Sequence, residues 1–112
     1  MPLLPNAAKA IVTLEKLRDY SLDLNHEKGK HKARVFVSAL GFTRQDAPRL
    51  REIILQAILI NEVAIGTSDI HGARFTVDFK VQGLQGIVSI RTAWIIDAGE
   101  TVPRLVSCYV KG

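Results

Sequence analysis

The chain has 112 residues, with 15 lysines and arginines against 11 acids and a formal charge of +4. That length suits one domain with one modest core, and the single Cys108 excludes a disulfide framework and a cysteine-rich metal site. No apolar run reaches membrane-spanning length, and the opening MPLLPNAAKAIV lacks the basic-then-apolar order of a secretory signal. A soluble, cytoplasmic domain without membrane association is the expectation.

Taken in chain order, Pro2 and Pro5 bracket an extended lead-in. Thr13 is suited to cap a first helix, with Glu15 in its first turn, Leu14, Leu17 and Leu22 as an intermittent apolar face, and Tyr20 near its end. The segment LNHEKGKHK breaks that pattern, and Gly29 supplies a turn. Val35, Phe36, Ala39 and Leu40 then fall at helical spacing, which predicts a short helix over 33–40 stopped by Gly41. The strongest helix signal is DAPRLREIILQAILI, residues 46–60. Asp46 is its N-cap, Pro48 suits its first turn, and Leu50, Ile53, Ile54, Ala57 and Ile58 form its buried stripe.

The period then changes from 3.6 to 2. Ala73, Phe75, Val77 and Phe79 alternate with Arg74, Thr76, Asp78 and Lys80, which predicts a half-buried strand. Gly83 and Gly86 mark the next turn. Residues 87–96 form another strand, with Val88, Ile90, Thr92, Trp94 and Ile96 on one face and Ile87, Ser89, Arg91, Ala93 and Ile95 on the other. RLVSCYV is the last strand. Strict alternation sends Leu105, Ser107 and Tyr109 one way and Val106, Cys108 and Val110 the other. A short first strand near 62–66 completes the set. The fold class is α+β, with N-terminal helices followed by a four-stranded antiparallel sheet in a single domain spanning 1–112. Which sheet face is covered stays open, as does whether Tyr109 pairs with Arg91 or with Thr92.

Chemistry concentrates in HEKGKHKAR, residues 26–34. Lys28, Lys30, Lys32 and Arg34 against Glu27 give a local charge of +3, so the rest of the chain is close to neutral. Lysines neutralise phosphate and donate charge-assisted hydrogen bonds, and a histidine moves protons near neutral pH. RNA cleavage without a metal needs a base for the 2′-hydroxyl, an acid for the leaving 5′-oxygen, and cations for the charge on phosphorus. His26 or His31 suits the proton work. Lys28, Lys30, Lys32 and Arg91 supply positive field, and Tyr109, Thr92 or Ser89 could orient the phosphate. The plain alternative is a solvated basic loop, with Arg91 paired to Asp78 or Asp97. HEKGKH has one residue too many for HExxH, and its cations oppose a divalent ion, so no metal and no other cofactor is expected.

Three ordered groups of words carry a resemblance. They are Leu4-Pro5-Asn6-Ala7 with Lys16-Leu17-x-x-Tyr20; His26-x-x-Gly29-x-x-Lys32-Ala33 with Leu40-Gly41-Phe42; and Gly72-x-x-Phe75, Arg91-Thr92-x-Trp94 and Pro103-Arg104-Leu105-Val106 with Tyr109. Together they span residues 4–109. The chain resembles a small, largely uncharacterised domain family whose members stand alone in cyanobacteria and also form toxin domains at the C-termini of large bacterial secreted proteins. More distantly it is similar to the barnase, EndoU, colicin and RelE group of metal-independent ribonucleases. It departs from the family pattern in having Val110 after Tyr109, where proline is expected. The resemblance implies His26 and Lys32 opposite Arg91, Thr92 and Tyr109, with RNA as substrate and an antitoxin or immunity protein as partner. With no delivery region in view, such a toxin would act in the cell that makes it. A fold does not carry its activity with it, so a non-catalytic protein-interaction domain or an RNA-binding domain of the same fold stands beside the endoribonuclease.

Overall fold

The computed structural model describes residues 2–111. Three helical segments precede four strands, and the sheet is antiparallel in the order β1-β2-β3-β4. The strands are β1 Val63–Asp69, β2 Gly72–Gly83, β3 Gly86–Asp97 and β4 Arg104–Val110. Among the described residues no helix is long and apolar enough to cross a membrane.

α1 is short. Thr13 caps it by accepting the backbone N–H of Lys16 at 3.2 Å, and helical bonding runs over Leu14–Lys16 before widening into a π turn over Leu17–Ser21. Leu17 and Leu22 are buried there. α2 spans Lys30–Leu40, three residues longer at its start than the apolar spacing predicts. The extension comes from polar contacts that hydrophobic periodicity cannot register. The His26 carbonyl accepts from Lys30 N–H at 2.9 Å, and the Gly29 carbonyl accepts from Ala33 N–H at 3.0 Å. His31 and Lys32 therefore stand on a helix and not in a loop. Gly41, at φ 71°, ends α2 in the left-handed conformation that glycine adopts without strain.

α3 spans Ala47–Ala57, bounded more tightly than 46–60. Asp46 lies at its N-cap but does not cap it. The Asp46 carboxylate instead accepts from Thr43 N–H at 2.8 Å, closing a capping box around the short 3₁₀ turn Arg44–Asp46. Leu50, Ile54 and Ile58 form the fully buried stripe, while Ile53 and Ala57 pack at its margin.

The helices cover the sheet face that carries Val77, Phe79, Ile90 and Trp94, all buried. Phe75 shares that face and packs against the same cluster. β1 runs to Asp69, beyond the expected 62–66, with a bulge between Ile65 and Ser68. β4 breaks the expected alternation. Trp94 pairs with Leu105 and Ala93 with Ser107, so Val106 is an extra residue. Leu105 and Cys108 consequently both face the core, and Ser107 and Tyr109 face the open side.

Candidate functional site

The open sheet face carries a row of polar side chains at one level. Asp78 pairs with Arg91 across β2 and β3, and Arg91 pairs with Tyr109 across β3 and β4. Arg91 donates from Nε and Nη2 to the two oxygens of Asp78, each at 2.9 Å. Lys111 Nζ reaches the same carboxylate at 3.3 Å. These contacts hold the Asp78 carboxyl below the usual carboxylate range, the Arg91 hydrogen bonds contributing most. Asp78 in turn pushes the Arg91 guanidinium above the ordinary arginine value, with Tyr109 adding to it.

α2 brings Lys32 to this row. Its Nζ lies 4.4 Å from the centre of the Tyr109 ring, a cation–π contact. Lys32, Tyr109 and Arg91 therefore converge from α2, β4 and β3. Asp78 holds Arg91 by its Nε side, which leaves N–H groups on Nη1 and Nη2 for a second anion. A groove of about 390 Å³, lined by Glu62, Val63, Ala64, Thr76, Asp78 and Arg91, adjoins the row.

Thr92 is not part of it. Its side chain is fully buried on the covered face, where the hydroxyl donates to the Val77 carbonyl at 2.7 Å and accepts the Trp94 indole N–H at 2.8 Å. Its neighbour Arg91 must point the opposite way, because side chains alternate along a strand. Thr92 thus satisfies a buried tryptophan and does not face a ligand.

His26 holds the start of α2. Its Nδ1 accepts the backbone N–H of Lys28 at 3.1 Å and of Gly29 at 2.9 Å. A ring nitrogen that accepts carries no proton, so the neutral ring has its hydrogen on Nε2. The ring also lies against Tyr20, with centroids 4.5 Å apart. Gly29 is fixed by the same packing, since a Cβ there would sit 2.7 Å from the Tyr20 carbonyl oxygen. The spacing His26-x-x-Gly29 is accounted for by this turn alone. Lys28 and His31 are exposed, Lys30 is half-buried, and none of the three side chains makes a hydrogen bond or ion pair among the described residues. Ser89 faces the open side opposite Lys80.

Asp78 and Lys111 belong to the row without having been singled out as site residues. The sequence does carry a signal for Asp78. A two-residue turn between Gly83 and Gly86 fixes the hairpin register and sets Asp78 opposite Arg91. Lys111 has no such signal, because the β4 bulge intervenes.

No curated protein and no solved structure matches the chain. A family model described as a domain of unknown function (DUF6883) matches residues 3–112, nearly the whole length and every residue of the polar row. With α2, the sheet and Lys32, Arg91 and Tyr109 all inside that match, the chain belongs to the DUF6883 domain family.

Proposed function

We propose that the chain is a metal-independent endoribonuclease, the toxin of a toxin–antitoxin pair, and that its centre is the Lys32–Tyr109–Arg91 row. The observation that carries this reading is the convergence of two cations and a phenol from three elements onto one exposed level of the sheet. A phosphodiester seated there receives the open N–H groups of Arg91 and the ammonium of Lys32. Both strengthen as charge builds on phosphorus.

In this reading the RNA 2′-hydroxyl attacks phosphorus and the bond to O5′ breaks. The products are a 2′,3′-cyclic phosphate and a 5′-hydroxyl. Tyr109 gives its proton to O5′, and the 2′-hydroxyl proton passes to water. The phenolate so formed lies between Lys32 and Arg91 and regains a proton from solvent. His26 serves through the turn it holds, because taking a proton on Nδ1 would break two backbone hydrogen bonds. Its Nε2–H remains a donor. Lys28, Lys30 and His31 attract the RNA backbone without fixing it.

The test is incubation of the purified chain with a defined RNA and its DNA counterpart, with chelator present. RNA cut to cyclic phosphate ends and intact DNA support the reading. Tyr109→Phe is expected to slow cleavage roughly 10²- to 10⁴-fold if it is the acid. Failure of the wild-type chain to cut any of a broad cellular RNA pool defeats it.

A further inference from the structure

We infer that the outer edge of β2, beyond the point where β1 begins, is a strand-addition site for an extended segment of another protein in which aliphatic and acidic residues alternate. The inference does not rest on RNA chemistry. β1 covers β2 only from Gly72 to Val77, yet β2 continues to Gly83. The last six residues of β2 thus have a strand on one side only.

The direction of their backbone groups follows from three contacts. Val63 N–H, opposite Val77, donates outward to the Pro2 carbonyl at 3.0 Å. The Val77 carbonyl points to β3, where it accepts the Thr92 hydroxyl. The tight turn pairs Gly83 with Gly86. In an antiparallel ladder, bonded pairs recur at every second residue. Val77, Phe79, Val81 and Gly83 therefore bond to β3, and Lys80 and Gln82 turn their N–H and C=O outward. No backbone partner meets them among the described residues.

Below this edge lies a groove of about 580 Å³ between α3 and the sheet, floored by Ile53, Ala57, Ile60, Phe79 and Val81. A second groove, of about 290 Å³, continues it along Val81 and Gly83. Ile60 is 72% exposed. Unpaired main-chain groups over an apolar trough suit a strand, whose alternate side chains fill the trough. A helix satisfies its own backbone and has no use for them.

Charge selects the occupant. Arg49 borders the groove, the Lys80 side chain stands on the opposite, open face of the same edge, and Glu52 accepts a hydrogen bond from Gln56 at 3.3 Å. An acidic residue on the outward face of the added strand meets Lys80 as a cross-strand pair. A second copy of this chain would instead bring two of each cation to one seam.

The experiment follows backbone amide exchange by NMR on the full chain. In the free protein Lys80 and Gln82 amides are expected to exchange at least about tenfold faster than those of Phe79 and Val81. The probe is an acetylated, amidated seven-residue peptide alternating valine with glutamate. It is expected to slow Lys80 and Gln82 exchange by about tenfold or more. Ile60→Asp, at an exposed position, is expected to abolish that slowing while leaving Trp94 fluorescence unchanged. Slow exchange at Lys80 and Gln82 in the free, dilute protein overturns the inference, because the edge is then already closed. Protection that grows with protein concentration alone overturns it in favour of a second copy. Equal slowing by a peptide N-methylated at alternate amides, or no slowing by the parent peptide, also overturns it.

Discussion

The ring of His26 accepts the backbone N–H of Gly29 at 2.9 Å, so the residue with the most obvious chemistry in the basic stretch is committed to holding a turn. Replacing it separates that role from any other. Asparagine can present an oxygen where Nδ1 lies but has nothing at the position of Nε2. His26→Ala is expected to cost about 0.5–2 kcal/mol, the range for a lost helix cap. His26→Asn is expected to recover most of that in urea denaturation. If both variants fold as stably as the wild type, the capping role fails. If His26→Asn folds normally and cuts RNA no more, Nε2 acts in the chemistry.

Lys32 and Tyr109 can be told apart by what each variant leaves behind. Lys32→Ala removes a charge and a cation–π contact worth about 0.5–1 kcal/mol at an exposed site. RNA affinity is expected to fall and its salt dependence to become shallower by about one phosphate contact. Tyr109→Phe keeps the ring under Lys32 and removes only the hydroxyl. Its RNA affinity is expected to stay near wild type while cleavage collapses. Filter binding and cleavage at several salt concentrations give both quantities.

Thr92→Val leaves the Trp94 indole N–H buried without an acceptor. A loss of about 1–3 kcal/mol is expected. Activity per folded molecule is expected to be unchanged, because the hydroxyl lies on the covered face. A cleavage defect at full folding would return Thr92 to the site.

Stability should fall in acid. The Asp78 carboxyl is held below its ordinary value by Arg91 first, and Asp69 and Asp97 are lowered too, by the His71 backbone N–H and by Arg104 respectively. A carboxyl whose folded value lies below its unfolded value stabilises the fold fully above about pH 4. That contribution disappears as pH falls through the folded value. Asp78→Asn is expected to be less stable than wild type at pH 7 and to converge with it in strong acid. Parallel stability curves across pH 2–7 would show that the pair contributes nothing.

Cys108 is buried in the core, and burial pushes its thiol up, away from the reactive thiolate. A thiol reagent is expected to label it only at the rate of unfolding. Fast labelling of the native chain would place the thiol at the surface.

The sequence was legible wherever one physical signal dominated. Alternation of Phe75, Val77 and Phe79 found β2, and Leu50, Ile54 and Ile58 found α3. The first turn of α2 escaped because charged residues 30–32 contribute nothing to apolar periodicity, while main-chain bonds to His26 and Gly29 build that turn. Arg91, Tyr109 and Lys32 were all named as site candidates from sequence. Their meeting was not legible, because it depends on the packing of α2 beside β4 and on one extra residue in that strand. Thr92 was misplaced for a simpler reason. A strand read without knowing its buried side offers two faces, and hydroxyls serve either.

That extra residue, Val106, acts as a phase shifter. Leu105 is pinned ahead of it, its N–H donating to the Ile11 carbonyl at 2.9 Å and its side chain lying in the core. Everything after Val106 is therefore out of step with Leu105 by one position. A strand that took Val106 into regular alternation, with no bulge, would face a choice. It could keep Leu105 seated, which would drive the Tyr109 phenol into the interior and turn the Cys108 thiol to solvent. Or it could keep Tyr109 beside Arg91 and tear Leu105 from Trp94. The reach of Lys32 to a phenol next to an arginine depends on the bulge in this strand as much as on the identity of any residue in it.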